Sequence, residues 1–87
     1  MSISIDDIFD LIAESAFIDN RDSIIPEAEL VKDLGIDGMD LLLMHTAIEE
    51  LLDMEIEDEE LSTLLTVQDV IDFIDNKFET FLNASML

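Results

Sequence analysis

Apolar residues recur at helical intervals in three stretches of the chain. Ile5, Ile8, Phe9, Ile12, Ala13 and Ala16 fall on one face at three- and four-residue spacing, which predicts a first helix over about residues 5–17. Ser4, with Asp7 three residues on, resembles a capping box in which Asp replaces Glu. Residues 18–36 keep no sustained period. The residue before Pro26 is pushed out of helical backbone, so this segment reads as a long loop, with Ile25, Leu30 and Leu34 expected to pin it to the core. A second helix is predicted from Asp37 or Gly38 to about Leu52, with Leu41, Met44, His45, Ile48 and Leu52 as its core stripe. Asp37 as N-cap and Asp40 at the third helical position put two carboxylates at the positive end of that helix. The run "EIEDEEL" predicts a short helical turn near residues 58–61. Thr66 with Asp69 repeats the capping pattern and opens a last helix striped by Val70, Ile71, Ile74, Phe78 and Phe81 or Leu82. The fold class is all-α: three long helices and one short, joined by long connections.

Composition narrows the function. The 87 residues are enough for one domain, residues 1–87, with a small core. An apolar share of 49% argues against a disordered chain. There are no cysteines, which excludes disulfides and thiolate metal sites. The first ten residues turn acidic by position six and carry no basic, apolar leader pattern. The longest unbroken apolar run, Leu41-Leu42-Leu43-Met44, is far short of the ~20 residues of a membrane span. A soluble, cytoplasmic protein is expected, monomeric and off the membrane. Twenty-three acids face three bases, Arg21, Lys32 and Lys77, for a formal charge of −20. Nucleic-acid binding is excluded on that balance, because phosphate contacts need Lys and Arg. A folded partner for basic surfaces fits it.

The chemistry-bearing candidates are few. "DLGIDGMDLLLM" over residues 33–44 has Asp and Gly where a calcium loop needs them, at Asp33, Asp37 and Gly38. It fails at Gly35 and at Met44, where two further ligands belong, so no calcium or other metal site is expected. His45, the single histidine, shares helical spacing with Leu41 and Ile48 and has no nucleophile in evident reach; it reads as a partly buried packing residue. No catalytic constellation is present, and the chain is not read as an enzyme. Leu42 and Leu43 fall off the core stripe. Leu42 points outward with Thr46, Glu49 and Asp53, and Leu43 with Ala47 and Glu50. Either the long loop covers these leucines, or they form an apolar strip edged with carboxylates that suits a basic partner with an apolar groove.

Residues 33–40, "DLGIDGMD", resemble the D-L-G-x-D-S-L-D motif of acyl carrier proteins, and "AIEELLDMEIEDEEL" and "LTVQDVIDFI" resemble the segments C-terminal to that motif in the family. The resemblance covers about residues 5–78. It implies a four-helix bundle of acyl-carrier type. It also implies a 4′-phosphopantetheine arm on the motif serine and recognition through helix 2. The implied partners are acyl-processing enzymes: synthases, acyltransferases and the phosphopantetheinyl transferase. The implied site residues are Asp37, Gly38 and Met39 at the attachment position, with Leu42, Leu43, Glu49, Glu50 and Asp53 for docking. Two residues depart from the pattern. Position 38 is glycine, whether natural or replaced, and glycine has no oxygen for a phosphodiester. Met39 stands for the motif leucine at similar volume. Thr46, Ser62 and Thr63 carry hydroxyls but not at the motif position. The function implied is a carrier-like domain that presents acyl intermediates or docks to acyl-processing enzymes through helix 2, limited to the apo form by Gly38. The alternative is a small acidic interaction or regulatory module without a carrier role.

Overall fold

A computed structural model describes residues 3–85, with side chains described through residue 80. Its helices are α1 (Ile5–Ala16), α2 (Gly38–Leu52), α3 (Asp58–Leu61) and α4 (Val67–Ser85), with one 3-10 turn at Arg21–Ser23. Among the described residues there is no strand, only an isolated antiparallel bridge between Glu29 and Thr66. Phe81 and Leu82, expected on the last helical stripe, lie outside the described side chains.

Each long helix starts where a side chain satisfies its first orphan amides. The Asp7 amide donates to Ser4 Oγ at 3.2 Å and the Ser4 amide to Asp7 Oδ2 at 3.3 Å. At α2 the Asp40 amide donates to Asp37 Oδ1 at 2.9 Å, and the Asp37 amide returns to Asp40 Oδ2 at 3.4 Å. At α4 the Asp69 amide donates to Thr66 Oγ1, while the Leu65 and Thr66 amides both donate to Asp69 Oδ2. These last two donors hold the Asp69 carboxyl below the usual carboxylate range. Helices α1 and α2 stop at left-handed residues, Phe17 (φ 55) and Asp53 (φ 53), whose amides bond back to Ala13 O and Glu49 O.

The core joins Ile8 and Ile12 of α1, Met44, Ile48 and Leu52 of α2, and Val67, Val70, Ile71 and Ile74 of α4. Full burial of an Ile or Met contributes about 1.5–3 kcal/mol. α1 packs chiefly on α2, which also meets α4. The long connection from α1 to α2 is tied to the start of α4. Val67 and Gln68, whose amides no helical carbonyl reaches, donate to Ala28 O (3.0 Å) and Pro26 O (2.9 Å), and Leu30 donates to Leu65 O (2.9 Å). Gly35 completes the turn before α2 at φ 69, a conformation that favours glycine.

Three sequence expectations change. The loop is pinned by Ile24, 3% exposed, and not by Ile25, 48% exposed. The backbone at Ile24 is extended, so adjacent side chains point to opposite sides. Leu30 is buried and Leu34 half-buried, as expected, with Ala28 and Ile36 added. Leu41, expected on the core stripe, is 36% exposed. Its turn of α2 faces α3, which is a single turn and covers it incompletely. His45 is half-buried, as read, but it is also a polar clamp. Its Nε2 donates to Ile56 O at 2.6 Å, and its Nδ1 lies 3.1 Å from Asp58 Oδ1.

Candidate functional site

Gly38 is the first residue of α2, directly after the Asp37 cap. It is exposed, and a Cβ built on it would meet nothing within 4 Å. The capping box beside it runs between Asp37 and Asp40 and uses no atom of residue 38 beyond its backbone. Met39, the next residue, is 67% exposed.

The outward face of α2 continues from there. Leu42 is 59% exposed and Leu43 41%, so the long loop covers neither. Glu50 and Asp53 are exposed at the far end of the same helix. Glu49 behaves differently. Its Oε2 accepts the Ile56 amide at 2.8 Å and lies 3.5 Å from His45 Nε2, so its carboxylate holds the α2–α3 connection. No Lys or Arg occurs between Lys32 and Lys77, which leaves the whole of α2 and α3 without a basic side chain other than His45. Two of the three cations are engaged elsewhere, Arg21 with Asp10 and Lys77 with Glu60. The Lys77 ammonium beside Glu60 holds that carboxyl below the usual range.

A cavity of about 280 Å³ opens beside Gly38, walled by Leu41, Leu42, Met44 and His45 of α2 and by Asp58, Leu61 and Ser62. Nothing in the sequence pattern marks it. Leu41 reads as a core position, and the gap between it and Leu61 depends on how far one turn of α3 reaches. Among the described residues no cluster of metal-ligating side chains occurs, and no helix is long and apolar enough to cross a membrane.

No protein-family model matches the chain. Individual relatives do. The chain is 40% identical over 67 residues to an acyl carrier protein of Syntrophobacter fumaroxidans, covering 77% of this chain and 82% of that one. It is 42% identical over 67 residues, with the same coverage, to an acyl carrier protein of Thermosynechococcus vestitus. It is 42% identical over 73 residues to an acyl carrier protein of Helicobacter pylori, covering 83% of this chain and 92% of that one.

The chain belongs to the acyl carrier protein family. Its all-helical fold accords with that membership, and as a carrier-type protein it is not an enzyme.

The family implies a 4′-phosphopantetheine group, and the residue at position 38, which the motif resemblance makes the attachment position, does not fit one. A phosphodiester needs an alcohol oxygen, and Gly38 has none. The hydroxyls that the sequence offers elsewhere are engaged with backbone: Ser62 Oγ donates to Glu59 O at 2.8 Å, Thr63 Oγ1 to Glu60 O at 3.0 Å and Thr46 Oγ1 to Leu42 O at 3.2 Å. Ser62 borders the cavity, but it stands at the end of α3 and not at the capped start of α2.

Proposed function

We propose that this domain, read as one unit over residues 1–87, docks onto acyl-processing enzymes through the outward face of α2. It does so as a monomer, in the cytoplasm, and without a covalently held arm. The observation that carries this reading is the continuous strip of exposed Met39, Leu42 and Leu43, bordered by Glu50 and Asp53, on a helix with no lysine or arginine. Apolar side chains on such a strip supply affinity once desolvated, and the carboxylates at its edge speed encounter with a basic rim. Family membership supports the partner class: synthases, acyltransferases and the phosphopantetheinyl transferase of fatty-acid or related lipid metabolism. The alternative, a small acidic interaction or regulatory module without a carrier role, is not favoured by the curated relatives, which are acyl carrier proteins.

The test is a nuclear magnetic resonance titration of the isotope-labelled domain with a carrier-dependent ketosynthase. Amide shifts should centre on Met39, Leu42, Leu43, Glu50 and Asp53. Shifts centred on α1 or α4, or none at all, would overturn the reading.

A further inference from the structure

We propose that position 38 is a silenced attachment site, and that the chain therefore acts on the enzyme that loads carriers as a non-productive competitor. The inference rests on the proposed docking through α2 and adds a regulatory consequence to it.

Of the two departures from the D-L-G-x-D-S-L-D motif, Gly38 and Met39, only Gly38 removes the acceptor oxygen. The backbone of Gly38 is helical, whereas the left-handed glycine is Gly35. A Cβ at position 38 would enter open space. No close approach and no unusual backbone requires glycine there. The cap that fixes the start of α2 is complete without residue 38, with both reciprocal bonds of Asp37 and Asp40 in place. The exposed apolar residues at the start of α2, Met39 and Leu42, remain available to a partner. The acid-only character of the surface from Asp33 to Asn76 also remains.

An enzyme that reads the cap, the apolar strip and the charge meets every one of those features here. It does not meet the hydroxyl. The partner this surface fits is thus a transferase with a basic rim and a groove for Met39 and Leu42. The complex forms and dissociates with no bond made. Competition is the direct consequence, because a bound chain that offers no nucleophile blocks the groove to one that does.

The experiment uses a phosphopantetheinyl transferase with coenzyme A and three full-length chains: wild type, Gly38→Ser and Gly38→Ala. In the serine variant the introduced hydroxyl oxygen attacks the coenzyme phosphorus nearer the pantetheine. An O–P bond forms, the diphosphate P–O bond breaks, the adenosine bisphosphate leaves with the bonding pair, and the hydroxyl proton passes to base. Intact-mass spectrometry should show a single addition on Gly38→Ser and none on wild type or Gly38→Ala. Wild type added to the reaction should slow loading of Gly38→Ser in proportion to its concentration, with the rate recovered at saturating variant. The same inhibition should appear when the substrate is the Helicobacter pylori carrier, an arm of the test that does not depend on any variant folding.

An addition on wild type, or a folded Gly38→Ser that stays unloaded, would overturn the silenced-site assignment. Normal loading of both substrates in the presence of excess wild type would overturn the competition. If wild type still shifts at α2 with the ketosynthase in that case, the docking reading stands and this inference alone falls. If it shifts with neither enzyme, both fall.

Discussion

The amide of Ile56 donates to Glu49 Oε2 at 2.8 Å, so a carboxylate near the end of α2 holds the chain just beyond the helix. The same oxygen sits 3.5 Å from His45 Nε2, whose proton goes to Ile56 O. The arrangement separates Glu49 from Glu50, its neighbour in sequence. Glu49→Ala leaves the Ile56 amide without its acceptor beside a buried side chain, which costs about 1–3 kcal/mol. Glu50→Ala, on the exposed face, should fall within about 0.5 kcal/mol of wild type. Urea unfolding followed by circular dichroism checks both, and equal midpoints for the two variants would show that the Glu49 bond is not holding the loop.

Gly38→Ala is expected to stabilise the fold by about 0.4–1 kcal/mol, because the native backbone accepts a Cβ and the unfolded chain loses freedom. A thermal melt reads the change. Destabilisation would mean that the fold itself requires glycine at position 38, against the open space around its Cβ position.

Acid should unfold the protein in part through Asp69. The Leu65 and Thr66 amides favour its ionised form, so its folded value lies below the ordinary 3.8. The stabilisation is complete above that ordinary value and is lost as pH falls through the lower folded one. Comparison with Asp69→Asn isolates the effect from the other acids. The gap in melting temperature between wild type and variant should be widest near neutrality and shrink at acid pH. A gap constant with pH would contradict the assignment.

Salt should raise the melting temperature. A formal charge of −20 opposes compaction, and screening acts over about 10 Å at 0.1 M. Glu55, Glu57, Asp58 and Glu59 are exposed together around α3, while Glu60 is paired with Lys77. Millimolar divalent cations should act in the same direction. A melting temperature flat from low to moderate salt would show that repulsion does not limit stability.

The helices were legible because their signals are local. Spacing gives the faces, and Ser4, Asp37 and Thr66 with their partners three residues on give the starts. The loop was less legible. Choosing Ile24 over Ile25 depends on which way one extended residue turns, and the bonds to Val67 and Gln68 join segments about forty residues apart. At the candidate site, the outward strip emerged from helical arithmetic once Leu42 and Leu43 fell off the core stripe. The engagement of Glu49 did not. A glutamate on an exposed face reads alike whether or not a later amide folds back to it.

The central claim is that Leu42 anchors a docking face on α2. The direct measurement is surface plasmon resonance of wild type, Leu42→Ala and Val31→Ala over an immobilised carrier-dependent ketosynthase, with folding verified by circular dichroism. Val31, 64% exposed on the α1–α2 loop, controls for loss of any exposed apolar side chain. Leu42→Ala should dissociate faster by roughly five- to thirtyfold, since it removes apolar burial worth about 1–2 kcal/mol, while its association rate stays near wild type. Val31→Ala should match wild type. Equal dissociation rates for all three folded chains would contradict the account and move the docking surface off α2.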